Sequence, residues 1–250
     1  MKDFLNYAMR IGEEMLVSGA EVHRVEDCLE RICRARGATR TDVFIITSSM
    51  VLSVADRNGE IYTQTRRIHA LGTDYAKLDA LNSLCRRICA EEMSIADLDA
   101  ALSRIEKERT YSFSLQVLVY AAVAAAFTLF FGGSLVQMVF SALIGALVRF
   151  VVAFVDRTVK NTIFSKFLST FFVTAAAFLV VFFGLAHRTD EIIIGNIMLL
   201  IPGLGFTNAL RDLFVGDSIA GSLRLLEAVL SAIAIAAGYF LFVFLVGGVV

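Results

Sequence analysis

From Phe113 onward the chain is built of five apolar runs: about Phe113–Phe131, Leu135–Val155, Ile163–Ala186, Ile192–Leu210 and Leu223–Val249. Each is long enough to cross a hydrocarbon core roughly 30 Å thick, in which only helices and closed barrels satisfy their own backbone. The charges are distributed to match. Residues 1–110 carry 16 Lys/Arg and 18 Asp/Glu, whereas residues 111–250 carry only 7 and 6. The sequence therefore predicts two domains, a polar head over 1–110 and a five-span helical membrane domain over 111–250.

Basic residues set the expected orientation. Lys107 and Arg109 precede the first run, Arg149, Arg157, Lys160 and Lys166 surround the second loop, and Arg211 and Arg224 bracket the loop after the fourth run. The alternate loops hold the uncharged Gly132-Gly133-Ser134, and His187–Glu191 with a single Arg. This bias predicts a cytoplasmic head and N-terminus and a C-terminus on the opposite, periplasmic side. The opening MKDFLNYAMRIGEE is amphipathic and acidic and is not expected to act as a signal peptide. A formal charge of −1 gives no reason to expect nucleic acid as a partner. Small residues four apart predict helix-contact faces: Ser141 and Gly145, Ala142 and Ala146, Ala228 with Ala232 and Ala236, and Ala234 with Gly238.

In the head, apolar spacing predicts amphipathic helices over 2–17 and about 20–36, the second ended by Gly37. The β-branched runs VFIITSSMVLSVAD and EIYTQTRRI, separated by Asp56-Arg57-Asn58-Gly59, predict three strands, with a break at Ser48-Ser49. Helices follow over about 74–90 and 94–107, the last with Ser94 as N-cap and Asp97 completing an imperfect capping box. The expected fold is thus an α-helical integral membrane protein with a cytoplasmic α/β domain of order α-α-β-β-β-α-α in front of five spans.

Candidate chemistry is concentrated in two stretches. LIPGLGFTNALRDLFVGDSIAGSLRLLEA, Leu200–Ala228, contains the only proline of the chain, Pro202, in the fourth apolar run, followed by Gly203 and Gly205. Proline removes a helical hydrogen bond, so this span is expected to be discontinuous, the way many transporters build a midplane site. On a helix beyond the break, Asn208 and Asp212 share a face beside Arg211. Asn208 would donate to a substrate carboxylate, and Asp212 would carry a coupling proton if burial raises its pKa. Arg211 and Arg224 would attract an anionic substrate. The competing reading has Arg211, Asp212, Asp217, Arg224 and Glu227 paired at headgroup depth, holding two helices together. In the head, Glu21, His23, Arg24, Glu26 and Asp27 form the densest polar cluster, equally readable as a solvated helix face. Cys85 and Cys89 have the spacing of half a metal site, but no recognised ligand set accompanies them and buried free thiols are expected. No phosphate-binding loop, dinucleotide fingerprint or nucleophile elbow is present, and the spans contain no Cys or His, which argues against an enzyme. A membrane-anchored regulator or scaffold remains the alternative to a transporter.

Gly12–Gly37, GEEMLVSGAEVHRVEDCLERICRARG, and Leu200–Ala228 together resemble the two signatures of the threonine/serine exporter family, in the same order and spanning essentially the whole chain. The resemblance implies efflux driven by the proton motive force across a bacterial inner membrane, without a cofactor. It points to Gly19, Glu21, Arg24 and Glu26 in the head, and to Pro202, Gly203, Asn208, Asp212, Gly216, Asp217, Arg224 and Glu227 in the membrane domain. Gly205-Phe206 departs from the more polar or smaller pair of many relatives and leaves the substrate class open. The length resembles the larger subunit of the split form of the family. That form implies a hetero-oligomer with a separate five-span subunit of about 150 residues, and links the pair to dicarboxylates such as succinate. The fused form implies threonine and serine instead.

Overall fold

The computed structural model describes residues 2–69, 71–107, 111–159 and 161–247. Arg109, Lys160 and the last three residues, used above for topology and the final span, lie outside them. The chain divides into two compact units: 1–110 with 204–225, and 111–203 with 226–250. Leu204–Leu225, expected in the membrane domain, thus groups with the head.

The head opens with α1 (Lys2–Val17) and α2 (Val22–Ala35), continues through β1 (Arg40–Ile46), β2 (Ser49–Ala55) and β3 (Ile61–Arg67), and closes with α3 (Tyr75–Ala90) and α4 (Ile95–Lys107). The strands form an antiparallel meander in the order β1-β2-β3, with Phe44 opposite Val51 and Leu52 opposite Gln64. Alternation places Met50, Leu52 and Val54 of the central strand in the core, while β3 buries none of its residues. At the hairpin, Asp56 Oδ1 accepts from the amides of Asn58 at 2.8 Å and Glu60 at 3.0 Å, and Gly59 takes φ +83°. α1 packs on α2, α3, α4 and the sheet with Leu5, Met9, Ile11, Met15 and Leu16 inward. Ser94 caps α4 as expected, but its hydroxyl also donates to the Asp97 carboxylate at 2.7 Å, so the box closes between side chains.

The same unit holds α9 (Gly203–Val215) and the first turns, to Leu225, of α10 (Ser218–Gly247). Gly216, at φ +107°, turns the chain between them. Close approach fixes their angle: a Cβ on Gly221 would meet the Leu213 amide nitrogen at 2.8 Å and the Ala209 carbonyl at 3.0 Å.

The second unit contains α5 (Phe113–Phe130), α6 (Leu135–Thr158), α7 (Thr162–Phe182), α8 (Asp190–Ile197) and the remainder of α10. Ser112, Ser134 and Asn161 cap the first three, and Ser134 forms a full capping box with Gln137. Among the described residues, four helices are long and apolar enough to cross a membrane: α5, α6, α7 and α10. The fourth expected run, Ile192–Leu210, is divided: α8 ends at Ile197, 198–202 is non-helical, and α9 begins at Gly203. Small residues set the helix contacts of this unit. A Cβ on Gly145 would lie 2.7 Å from that of Ala124, and one on Gly238 2.3 Å from the Phe167 carbonyl. Ala228 and Ala234 are buried as expected, whereas Ala232 and Ala236 are exposed, so that stripe turns away from the helices packed here.

Candidate functional site

The two signature stretches meet in the head unit, at the turn between α1 and α2. This turn is fixed from below: the Gly72 amide donates to Val17 and the Asp74 amide to Ser18, both at 2.9 Å. Gly19 has φ +94° and lies 3.0 Å, measured from a notional Cβ, from the Gly72 carbonyl, so the position excludes a side chain. The carbonyls of Gly19 and Ala20 accept from side chains of α9 and α10. Asn208 Nδ2 donates to Gly19 at 3.2 Å, and Arg224 Nη2 donates to Ala20 at 2.8 Å.

The next residues begin α2, whose first amides lack intrahelical partners. Glu21 occupies the N-cap position, yet its side chain makes no capping bond. It pairs instead with Arg211 of α9, whose side chain is 64% exposed. The capping role passes to Asp212, which accepts from the Val22 amide, a carboxylate from a distant helix placed at the positive end of α2. Asp212 Oδ2 also lies 3.1 Å from Arg224 Nη1, with only 1% and 7% of the two side chains exposed. That contact is an ion pair without hydrogen-bond alignment, since Oδ2 and Arg224 Nε are both buried with no hydrogen-bond partner. Burial raises the Asp212 carboxyl above its ordinary range; Arg224 and the Val22 amide oppose the rise, and Asp217 and Glu21 add to it.

One turn further along α2, His23 and Glu26 face Asp217 of the α9–α10 link, and the three ligand atoms lie within 4.8 Å of one another. Burial and the Asp217 carboxylate push Glu26 up to about 7, with His23 opposing.

Of the residues singled out from sequence, Gly19, Glu21, Glu26, Asn208, Arg211, Asp212, Asp217 and Arg224 thus gather around one turn. Pro202 and Gly203 form the end of the non-helical link and the start of α9, and Glu227 falls in the part of α10 that belongs to the second unit. Arg24 points elsewhere, lining a cavity of about 460 Å³ with Arg31, Arg86 and the thiols of Cys28, Cys85 and Cys89. All four cysteines are free, and Cys28, Cys33 and Cys85 are buried. Burial pushes Cys33 up to about 12, and a bond to Cys28 together with burial raises Cys85 above the ordinary thiol range.

The second unit carries a polar cluster that the sequence reading missed. Asn196 Nδ2 donates to Ser141 Oγ at 2.8 Å, and Ser141 and Thr128 share a 2.6 Å hydroxyl contact above the Ala124 carbonyl. All three side chains are buried, and Asn196 Oδ1 has no hydrogen-bond partner. The available signal was a lone amide in the apolar run Ile192–Ile201; Ser141 had been counted only for its size.

A family model described as a putative threonine/serine exporter matches residues 6–246. Among the curated proteins and among the solved structures, nothing matches. The match takes in both units and every residue of the gathered cluster, and the family is one of transporters, whose members move a solute and do not convert it. With its four membrane-length helices, the chain is a multi-span membrane protein that belongs to the threonine/serine exporter family.

Proposed function

We propose that this chain is a subunit of a secondary exporter for small zwitterionic amino acids, threonine and serine, in a bacterial inner membrane. The observation that carries the reading is the buried Asp212–Arg224 ion pair, in which an acceptor, Asp212 Oδ2, and a donor, Arg224 Nε, have no hydrogen-bond partner. A zwitterion offers its ammonium to the acceptor and its carboxylate to the donor. A dicarboxylate offers only acceptors and would meet Asp212, Asp217 and Glu21 together, and like charges repel in a poorly solvated site. The amino-acid reading is also the one that the family description names. Succinate, implied by the split form, is the substrate it must be tested against.

Asp212 is then the candidate for the coupling proton, and Asn208 acts as a clasp on the Gly19 turn. The link 198–202, with Pro202 at its end, joins α8 to α9 and interrupts the fifth crossing of this reading, which keeps a cytoplasmic N-terminus and a periplasmic C-terminus. The separate five-span subunit of the split form is the partner proposed to complete the carrier.

Proteoliposomes containing the chain, with and without a candidate five-span subunit, test the reading. An imposed proton gradient is expected to drive labelled threonine and serine uphill, and Asp212→Asn is expected to abolish uphill flux while sparing exchange. Uphill succinate flux without threonine flux would overturn the substrate assignment. Wild-type uphill flux in Asp212→Asn would overturn the proton role.

A further inference from the structure

We propose that His23, Glu26 and Asp217 form a divalent transition-metal site that staples α2 to the link between α9 and α10. His23 and Glu26 are three residues apart on α2 and share a face. Asp217 is delivered by the turn at Gly216, and its amide is anchored on the Asp212 carbonyl at 2.9 Å. The three donor atoms lie within 4.8 Å of one another, a spacing that ligands about 2.0–2.2 Å from a shared ion can reach with small side-chain adjustment.

Two further observations point to a cation. Asp217 Oδ2 is a fully buried acceptor with no hydrogen-bond partner, although it sits beside a second carboxylate. Leaving such an atom unpaired is costly, and an ion would satisfy it. Two carboxylates, Glu26 and Asp217, also stand close together, and a shared cation relieves their repulsion. Glu26 accepts in addition from the Ile45 amide, which orients the carboxylate as outer-shell bonds orient a ligand. One imidazole and two carboxylates suit zinc, manganese or ferrous iron better than calcium or magnesium, which take oxygen ligands. His23 is exposed, so solvent can fill the remaining coordination positions. The site joins residues of both signature stretches, and its role is positional: it fixes the segment carrying Asp212 and Arg224 against the head. The inference uses only the head unit and stands independently of the transport reading.

The test uses the full chain in detergent micelles, stripped with EDTA and titrated with Mn²⁺, followed by electron paramagnetic resonance of the free ion, and with Zn²⁺ in equilibrium dialysis. One saturable ion per chain and a higher thermal midpoint with metal are expected. His23→Ala, Glu26→Gln and Asp217→Asn are each expected to weaken binding at least about tenfold, since even outer-shell changes cost that much. Asp27→Asn, adjacent to Glu26 but outside the cluster, is expected to bind as the parent does. Three variants make the result independent of the folding of any one. No saturable binding of either ion, equal binding in all three variants, or Zn²⁺ binding lost in Cys85→Ser and retained in the three would overturn the proposal.

Discussion

The two units bury different mixtures of side chain. In the head the fully buried residues are large and apolar, among them Leu5, Met9, Met15, Leu29, Leu52 and Leu81. In the second unit Ala124, Thr128, Ser141, Gly145, Ser169, Thr170 and Gly195 share the interior with Ile144, Val148, Val173 and Ile192, while Phe130, Phe154, Phe182 and Phe244 are exposed. The difference follows from the solvent each interior displaces. Water drives large apolar groups together in proportion to the area they hide. Lipid tails are as apolar as the helices, so association there relies on close backbone approach and on polar contacts between helices.

Truncation of a large side chain is where the contrast is expected to be greatest. Leu29→Ala in the head should cost about 2–5 kcal/mol, because the site loses transfer free energy and gains a cavity. Phe154→Ala, which removes more atoms from a side chain 68% exposed, should cost less than about 1 kcal/mol in a lipid bilayer, since lipid fills the space it leaves. Chemical unfolding of the head followed by its own spectroscopic probe, and unfolding of the membrane unit in bicelles, would measure the two. Equal losses would mean that both interiors obey one rule.

Enlargement of a small side chain should reverse the order. A Cβ at Gly238 would stand 2.3 Å from the Phe167 carbonyl and 3.1 Å from the Phe171 amide nitrogen, both backbone atoms that cannot rotate away. Gly238→Ala is expected to separate α10 from α7 at a cost of about 1–3 kcal/mol. At Gly12 in the head, the nearest obstacle is the end of the Met50 side chain at 2.7 Å, which can move, so Gly12→Ala should be milder. A Gly12 variant less stable than the Gly238 variant would break the contrast.

The same division explains what could be read from sequence. The head elements were legible because helix period, strand alternation and the Asp56–Gly59 turn are local signals, and the four membrane-length helices announced themselves by length and composition. The grouping of Leu204–Leu225 with the head was not legible, since it rests on contacts such as Asn208–Gly19 and Arg224–Ala20, nearly the whole chain apart in sequence. Runs of polar and apolar residues report how a helix is faced, not which distant turn it faces. Eight of the signature residues nonetheless gather where two helix ends and a left-handed glycine leave carbonyls and amides to be satisfied from elsewhere. The Asn196–Ser141–Thr128 cluster was missed for the opposite reason: single polar residues among apolar ones leave no period at all.

That cluster gives the smallest and sharpest test. If close backbone approach holds α5, α6 and α8 together, as Gly145 and Gly195 suggest, the hydrogen bonds among these three side chains should add little. Gly195 has no room for a Cβ, which would fall 2.9 Å from the Thr128 amide nitrogen and 3.0 Å from the Ala124 carbonyl. Interhelical hydrogen bonds in membranes average about 0.6 kcal/mol, because the unfolded chain in lipid also finds partners. Ser141→Ala removes a hydroxyl that contacts Thr128 and accepts from Asn196, and is expected to cost on that order. Asn196→Ala removes the same bond but also a buried acceptor that has no partner, so its loss should be smaller than that of Ser141→Ala. The double variant separates the pair term from cavity effects, and a coupling near 0.6 kcal/mol is expected from the cycle. A coupling above about 2 kcal/mol would exceed what such bonds have been found to supply in membranes. It would make polar contacts, not small-residue packing, the principal adhesive of this unit.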